Sequence, residues 1–369
     1  NIIFRVKKGV NMNPTDPNYD LYKLAIRVAA QRLNPTFSFM DTTFNAPYNG
    51  EVSYMGCRTR VISDRFGEAV TDGRGNLSFT TLNLPRLAIR AEKNIMKFYE
   101  YLDEMLDLIG EQLYHRYQVQ ANLRVSDLPF LMGQHLYLGS ENLGPNDTVE
   151  KAIKHGTLSI GFIGLAEALT SLTGHHHAES GDSLSLGEEI IAFMRNKTDK
   201  MADKYDLNYT LIATPAEGLS GRFLKIDQKE YGIIPGVTDK DYYTNSFHVP
   251  VAYKISAYDK MKIEGKFHKY ANAGHIAYVE FSSPPVNNLT AVEDTLRHMR
   301  ESDCGYAGIN FPVDFCENCG YLGVINQDYC PNCSDDHVRR VRRITGYLST
   351  INNFNDAKRC ELHDRVNHV

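Results

Sequence analysis

The chain has 369 residues, of which 42% are hydrophobic and 23% charged, and its formal net charge is −5 at pH 7. This composition is that of an ordinary globular protein with enough apolar residues for one large core or for two or three domains. The acidic balance argues against a dedicated nucleic-acid-binding protein, and the sequence has no uncharged apolar run of about 18 residues that could cross a membrane.

The chain begins at Asn1 rather than at a methionine, and its first segment, NIIFRVKKGV, resembles the middle of a domain. We therefore expect the sequence to be a piece of a longer protein.

The first third of the chain contains two amphipathic helical patterns separated by loop and strand signals. Residues 16–33 combine an acidic cap, an early proline and apolar residues at helical spacing, which predicts a helix. A stretch rich in Gly, Asn and Pro follows and carries Cys57. Residues 71–89 change from a turn to a β-rich segment, and residues 91–114 repeat apolar side chains every three or four positions, which predicts a long helix.

The rest of the chain alternates between predicted helices and predicted strands. Residues 155–174 are apolar on nearly every side and predict a buried helix. The pattern then predicts a polar helix at 186–205, a strand entering a loop at 207–218, a strand at 275–281, a helix at 288–302 and a strand at 306–315. This alternation favours an α/β architecture.

Three consecutive histidines, His175 to His177, lie in the segment GHHHAES. Adjacent residues of a helix point in different directions, so at most two of these rings could share one metal ion. A solvated turn is the prediction for this segment.

The cysteines suggest one metal site in a reducing cytoplasm. Two Cys-x-x-Cys pairs, separated by ten residues, lie in CENCGYLGVINQDYCPNC, and the four thiols are Cys316, Cys319, Cys330 and Cys333. Each pair predicts a tight knuckle, and two knuckles joined by a hairpin give the four-sulfur tetrahedron that zinc accepts. Iron is the competing metal, because ligand spacing alone does not separate the two.

Four protein ligands leave no open position for a substrate, so the metal is predicted to be structural. The alternative is a nucleic-acid-binding ribbon, which the basic run RRVRR at 339–343 would support. That run is short and lies in a net acidic chain, so direct nucleic-acid binding is not expected.

A lone glycine, Gly346, interrupts the β-branched and aromatic residues of RRITGYLST. Taken alone, it indicates a turn, because glycine loses backbone entropy in regular elements. Its surroundings change this interpretation. The tail VRRITGYLSTINNFNDAKRCELHDRVNH resembles the glycyl-radical segment of anaerobic (class III) ribonucleoside-triphosphate reductases, and the cysteine ribbon lies where that family has one. YMGCRTRV, GRGNLSFTTLNLPRLAI, TPAEGLSGRF and YYTNSFHVP are also similar to stretches of these enzymes.

The resemblance covers essentially the whole chain, as the C-terminal half or somewhat more of a full-length reductase. It implies that Gly346 stores a backbone radical, which spreads over the adjacent amide and carbonyl and becomes planar because glycine lacks a side chain. It also implies that Cys57 relays the radical as a thiyl and that Asn76 helps to hold the reacting groups; a turn role remains the alternative for Asn76. Cys304 and Cys360 are predicted to be small packed residues.

The resemblance also implies a fold and a division of the chain. We expect an α/β fold, part of a ten-stranded α/β barrel of the glycyl-radical enzyme type, with a C-terminal zinc ribbon and a radical loop. Residues 1–305 would form the second part of the barrel, including the cysteine finger loop, residues 306–338 the four-cysteine ribbon and residues 339–369 the glycyl-radical segment. The family's N-terminal effector-binding domain, and the further cysteine that its formate-using branch has in the first half, are expected to lie outside this sequence.

The implied function is anaerobic reduction of ribonucleoside triphosphates to 2′-deoxyribonucleoside triphosphates, with formate as the expected reductant. The implied partners are an iron-sulfur radical S-adenosylmethionine activating protein and a second copy of the chain, and the implied location is the cytoplasm. Two alternatives are another glycyl-radical enzyme of the lyase or dehydratase type and a non-catalytic zinc-ribbon binding module. Neither accounts as well for the residues, because the first lacks the ribbon and the second leaves Cys57 and Gly346 without a purpose.

Overall fold

The structure is a computed structural model that describes residues 2–56, 58–344 and 346–368. Among these residues, the strands are β1 Ile3–Val6, β2 Thr36–Phe39, β3 Ser53–Met55, β4 Thr59–Val61, β5 Asn76–Asn83, β6 Thr157–Ile163, β7 Asn208–Ala213, β8 Ala277–Glu280, β9 Tyr306–Asn310, β10 Val313–Cys316, β11 Leu322–Gly323, β12 Val338–Arg343 and β13 Leu348–Thr350. The helices are α1 Tyr19–Arg32, α2 Leu84–Arg90, α3 Ile95–Ala121, α4 Glu150–Ile153, α5 Leu165–Thr173, α6 Gly181–Tyr205, α7 Gly218–Tyr231, α8 Ala257–His268, α9 Leu289–Glu301 and α10 Asp356–Asp364. No described helix is both long enough and apolar enough to pass through a bilayer.

A parallel sheet with the order β5-β6-β7 forms the first wall of the fold. Helices connect its strands, as parallel pairing requires, and bury it on the side where α3, α5 and α6 pack. The central strand β6 is buried at six of its seven positions, which explains why its sequence has no polar alternation. All three strands run the same way, so their carboxyl ends lie at one edge of the sheet.

A second sheet has the order β1-β2-β9-β8. Its strands β1 and β2 pair in parallel, β2 and β9 pair antiparallel, and β8 and β9 pair in parallel. Helices α1 and α9 cover this sheet, and the core between them includes Ile26, Phe37, Val279 and Leu296. The two sheets therefore position the loops that form the candidate site.

The third sheet, with the order β11-β10-β12-β13, contains the cysteine pairs and the segment around Gly346. The predicted boundary between residues 305 and 306 falls just before β9, which belongs to the second sheet. The predicted boundary between residues 338 and 339 falls inside β12, which pairs with β10 on one side and β13 on the other. The ribbon and the glycine segment therefore share one sheet.

Two predictions of secondary structure were wrong. Residues 155–174 form the strand β6 followed by α5, not one helix. A continuous apolar run cannot distinguish a buried parallel strand from a buried helix, and here the strand allows close packing: a Cβ on Gly161 would lie 2.1 Å from Thr214 Oγ1. Residues 306–315 form two strands, β9 and β10, which belong to different sheets.

The histidine segment between α5 and α6 also differs from its prediction. His175 is exposed, but His176 and His177 are buried, and the His177 ring packs edge-on against Phe267 at 5.7 Å. Burial, together with the nearby His176, lowers the pKa of His177 to about 4. The prediction of a solvated turn was therefore wrong for two of the three rings, which are neutral core side chains at pH 7.

Candidate active site and metal cluster

The four cysteines of the ribbon meet at one point. The sulfur atoms Sγ of Cys316 and Cys333 are 3.6 Å apart, as are those of Cys319 and Cys330, and all four lie within 4.8 Å of one another. A tetrahedron with metal–sulfur bonds of about 2.3 Å has sulfur–sulfur edges of about 3.8 Å. The cluster therefore has the size and the closed ligand set of a structural zinc site.

Local backbone turns aim these sulfur atoms. The N–H of Gly320 donates to Cys316 O at 3.1 Å, and the N–H of Ser334 donates to Cys330 O at 2.9 Å. Both donors follow the second cysteine of a pair and have positive φ, +71° and +59°. Each pair thus closes into the same knuckle, with the left-handed residue directly after it.

Asn332 donates hydrogen bonds to two of the four ligand sulfur atoms. The Asn332 side chain donates to Cys319 Sγ at 3.5 Å, and the Asn332 N–H donates to Cys330 Sγ at 3.4 Å. The Asn332 side-chain hydrogen bond lowers the pKa of the Cys319 thiol to about 6. A deprotonated sulfur is the form that binds a metal ion.

Gly346 is buried in the turn that joins β12 to β13. The N–H of Ile344 donates to Tyr347 O at 3.0 Å and closes the turn around the glycine. The hydroxyl of Tyr347 donates to Glu217 Oε2 at 3.0 Å. Glu217 lies just beyond the carboxyl end of β7, so this bond ties the turn to the edge of the parallel sheet.

Cys57 lies outside the described residues, but the structure describes the next residue, Arg58. The guanidinium of Arg58 is buried, with 1% of the residue exposed. Its Nη1 donates to Ala213 O at 3.1 Å, to Thr214 O at 3.3 Å and to Ser246 Oγ at 3.3 Å. Ala213 is the last residue of β7 and Thr214 follows it, whereas Ser246 belongs to the segment between α7 and α8.

The segment after Cys57 and the turn of Gly346 therefore converge on the same edge of the parallel sheet. Arg58 reaches residues 213 and 214, and Tyr347 reaches Glu217, three residues farther along. Both contacts join parts of the chain that lie far apart in sequence. This edge is the candidate active site.

Asn76 lies at the other end of the sheet. It is the first residue of β5 and is in register with Thr157 of β6, which in turn is in register with Asn208 of β7. Ala213 is five residues farther along β7, or about 17 Å at the usual rise of a strand. The structure does not bring Asn76 to the edge where the two loops meet, and its catalytic role stays a prediction.

Sequence reasoning missed several residues of this edge. Four of its residues are buried or nearly buried, and the sequence alone assigned a role to none of them: Arg58, Asn245, Glu361 and Arg365. Charged residues next to turns are usually solvated, so nothing in the local pattern distinguishes them. The available signal was that all four residues lie within the motifs that resemble the reductase family.

A family model described as anaerobic ribonucleoside-triphosphate reductase matches residues 1–368. The chain is 33% identical to the anaerobic ribonucleoside-triphosphate reductase of Escherichia coli (strain K12), covering 100% of this chain and 53% of that protein. It is 34% identical to the enzyme of the same name from Enterobacteria phage T4, covering 100% of this chain and 61% of that protein. The chain thus spans about half the length of the curated relatives it matches.

Solved structures agree on the fold. An anaerobic ribonucleotide reductase superposes with a TM-score of 0.73 at 16% identity, covering 99% of this chain and 54% of that one. The B12-independent glycerol dehydratase from Clostridium butyricum superposes with a TM-score of 0.67 at 10% identity, covering 100% of this chain and 52% of that one. The predicted α/β fold of the glycyl-radical enzyme type is confirmed, and the chain belongs to the anaerobic ribonucleoside-triphosphate reductase family.

Proposed function

We propose that this chain is the part of an anaerobic ribonucleoside-triphosphate reductase that carries the radical chemistry, with Gly346 storing the radical and Cys57 relaying it. The observation that carries the proposal is the convergence of the two loops: Arg58, next to Cys57, and Tyr347, next to Gly346, both bind residues within 213–217. A backbone radical cannot reach a substrate by itself, so a thiol must lie close to it, and an S–H bond is weak enough to exchange a hydrogen atom.

In the proposed reaction, a thiyl radical on Cys57 removes the 3′-hydrogen of a ribonucleoside triphosphate, and the 2′-hydroxyl then leaves as water. Two electrons are needed to reduce the sugar. Formate supplies them when it is oxidised to carbon dioxide, so one ribonucleotide, one formate and one proton give one deoxyribonucleotide, one carbon dioxide and one water. The 3′-hydrogen returns from the thiol, which regenerates the thiyl radical.

The family resemblance supports further parts of the proposal. Asn76 is proposed to assist the reacting groups through its amide, although it lies at the far end of β5. A radical S-adenosylmethionine activating protein with an iron-sulfur cluster would install the radical on Gly346, and two copies of the complete chain would form a homodimer in the cytoplasm. Zinc, held by Cys316, Cys319, Cys330 and Cys333, would have a structural role and supply no chemistry to the substrate.

The dehydratase and lyase alternatives share the fold, as the superposition on glycerol dehydratase illustrates. Two observations favour the reductase: the family model covers the chain from residue 1 to residue 368, and the four-cysteine ribbon shares a sheet with the glycine turn. Strand β12 connects the ribbon to the glycine segment, which gives the ribbon a structural role beside the glycine turn.

The test uses the complete reductase that contains this sequence, activated anaerobically. We expect Cys57→Ser to acquire the glycyl radical, seen by electron paramagnetic resonance, but to form no deoxyribonucleotide, because an O–H bond is too strong for easy hydrogen exchange. Cys360→Ser is the matched control, because Cys360 is a half-buried thiol on α10 with no proposed role in the chemistry, and it should retain both radical and turnover. Turnover by Cys57→Ser would refute the relay assignment.

A further inference from the structure

The segment after α10 lies directly against the residues that lead into the glycine turn. The Arg365 guanidinium donates from Nη1 to Arg343 O at 3.1 Å and from Nη2 to Ile344 O at 3.0 Å. Arg343 is the last residue of β12, and Gly346 is two residues beyond Ile344. A single side chain therefore binds two consecutive carbonyls, the second of which lies two residues before the glycine.

The guanidinium is itself fixed by a buried carboxylate. Arg365 Nη2 donates to Glu361 Oε1 at 2.9 Å, and Lys358 pairs with the other oxygen of the same carboxylate. Burial alone would raise the pKa of Glu361, but Lys358 and Arg365 outweigh it and lower this pKa to about 2. Glu361 is therefore charged at neutral pH, and Glu280 adds a second carboxylate 3.8 Å from Arg365 Nη1.

The same carboxylate connects to the edge of the parallel sheet. Asn245 Nδ2 donates to Glu361 Oε2 at 3.4 Å, and Asn245 Oδ1 accepts from Ala216 N at 2.7 Å. Ala216 precedes Glu217, the acceptor of the Tyr347 hydroxyl, and the neighbour of Asn245, Ser246, accepts from Arg58. Hydrogen bonds, joined by the peptide bond between Asn245 and Ser246, thus connect the approach to Gly346, through α10, to the segment that follows Cys57.

The residue types in this network are better suited to fixing the orientation of the glycine turn than to raising the free energy of unfolding. A buried ion pair adds little to the free energy of unfolding compared with apolar side chains of similar size. A planar guanidinium, however, matches two successive carbonyls and a carboxylate at once, and so fixes an orientation that an ammonium ion or an apolar side chain cannot fix. Transfer of an atom between two groups needs them within about 3–3.5 Å, and an error of about 1 Å can slow it about a hundredfold.

We propose that Arg365, held by Glu361, is a positioning residue that sets the glycine turn at the correct distance from the cysteine loop for radical transfer. This role rests on the proposed function, in which Gly346 stores the radical. Arg365 acts through the backbone carbonyls of residues 343 and 344 and, through Glu361, on Asn245.

The experiment compares Arg365→Met, Arg365→Lys and Arg359→Met in the complete reductase. Arg359 is the matched control, because it lies on α10, is exposed, and donates to Asn352 O at 3.1 Å on the outer side. After anaerobic activation, the glycyl radical is counted by electron paramagnetic resonance, and kcat per radical and KM are measured for a ribonucleoside triphosphate. Zinc content reports whether the ribbon remains folded.

We expect Arg365→Met to lower kcat per radical about tenfold or more at unchanged KM, because misalignment slows transfer but not substrate binding. Arg365→Lys should recover part of the loss, since one ammonium can bind one of the two carbonyls. Arg359→Met should match the wild type. If Arg365→Met keeps kcat per radical within twofold of the wild type, or raises KM at unchanged kcat, the positioning role is refuted.

Should Arg365→Met fail to fold or to accept the radical, Glu361→Gln decides the matter. It leaves Arg365 in place but weakens its support, so kcat per radical should fall severalfold, and the loss should not add to that of Arg365→Lys. Wild-type kcat per radical in Glu361→Gln overturns the proposal. A wild-type enzyme that forms no glycyl radical at all refutes the proposed function instead, which separates the two failures.

Discussion

The cysteine ribbon and the glycine site differ in how far apart in sequence their parts lie. The ribbon gathers its four sulfur atoms from residues 316–333, and each knuckle closes through a hydrogen bond that spans four residues. The glycine site joins Arg58, residues 213–217, Asn245 and Arg365, and each contact spans 21 or more positions in sequence.

The two sites therefore differ in the interactions that maintain them. Local turns maintain the ribbon together with the zinc ion proposed for it, so metal loss should unfold it as a unit. Among the described residues, no group of ligands that could hold a metal ion lies at the glycine site. This site depends on the surrounding sheets and helices for its distances, so small changes there should alter the rate of chemistry before they alter the fold. The predictions below test that separation, from the largest expected effect to the smallest.

The largest effect is expected at Gly346 itself. A planar carbon radical reacts with dioxygen to give a peroxyl species that breaks the backbone, so the activated protein exposed to air should be cut at this residue and should release the segment Tyr347–Val369. Mass spectrometry of the chains measures the cut. Gly346→Ala should stay whole, because the added methyl group hinders both planarity and hydrogen abstraction; a wild-type chain that survives air after a radical has been verified would rule out radical storage at Gly346.

The ribbon should respond in an all-or-none manner to loss of one ligand. We expect Cys330→Ser to lose the metal, about one zinc per chain in the wild type, and to make the tail sensitive to protease, because metal binding to four thiolates contributes directly to folding. Metal analysis and limited proteolysis measure both effects. Cys360→Ser, which removes a thiol outside the cluster, should keep the metal, and a metal-free wild type with a protease-resistant tail would contradict the structural role.

Sequence predicted the parts of the molecule whose signals are local. The helices α1 and α3 follow from apolar residues at helical spacing, and the ribbon follows from two cysteine pairs. The strand β6 was mistaken for helix because its sequence, TLSIGFI, is buried on both faces and has no period of two. The alternation of polar and apolar residues that identifies a half-buried strand is absent there.

The candidate site could be predicted only in part. Gly346 and Cys57 came from a resemblance of motifs, and the edge of β7 on which their neighbours converge came from the structure. Nothing in the tail KRCELHDRVNH indicates that Lys358, Glu361 and Arg365 are buried, because their burial depends on packing against residues more than a hundred positions earlier. Asn76 shows the converse: its motif suggested the site, but its register places it at the far end of the sheet.

We expect the free energy of unfolding to fall in acid because His177 is buried in the folded chain. The pKa of His177 is lowered from 6.5 to about 4, chiefly by burial, so the unfolded chain binds more protons between these pH values. The resulting penalty is absent above pH 6.5, grows as the pH falls, and reaches about 3 kcal/mol below pH 4. His177→Gln should reduce this acid sensitivity, measured by hydrogen exchange near Phe267, whereas exposed His175→Gln should not; equal pH profiles would show that His177 titrates normally.

The smallest expected effect concerns a hydrogen bond between the glycine turn and the segment that follows β7. Tyr347→Phe removes the hydroxyl that lies 3.0 Å from Glu217 Oε2. Because Tyr347 is 39% exposed, the bond should contribute only about 1 kcal/mol, which corresponds to a fall of about fivefold in kcat per radical if it serves alignment alone. The zinc content should not change, since the bond lies outside the ribbon. Tyr329→Phe, an exposed tyrosine within the ribbon, is the control and should leave kcat per radical unaltered. A Tyr347→Phe variant that loses zinc would show that the ribbon and the glycine turn are maintained together, and the separation drawn between the two regions would then be wrong.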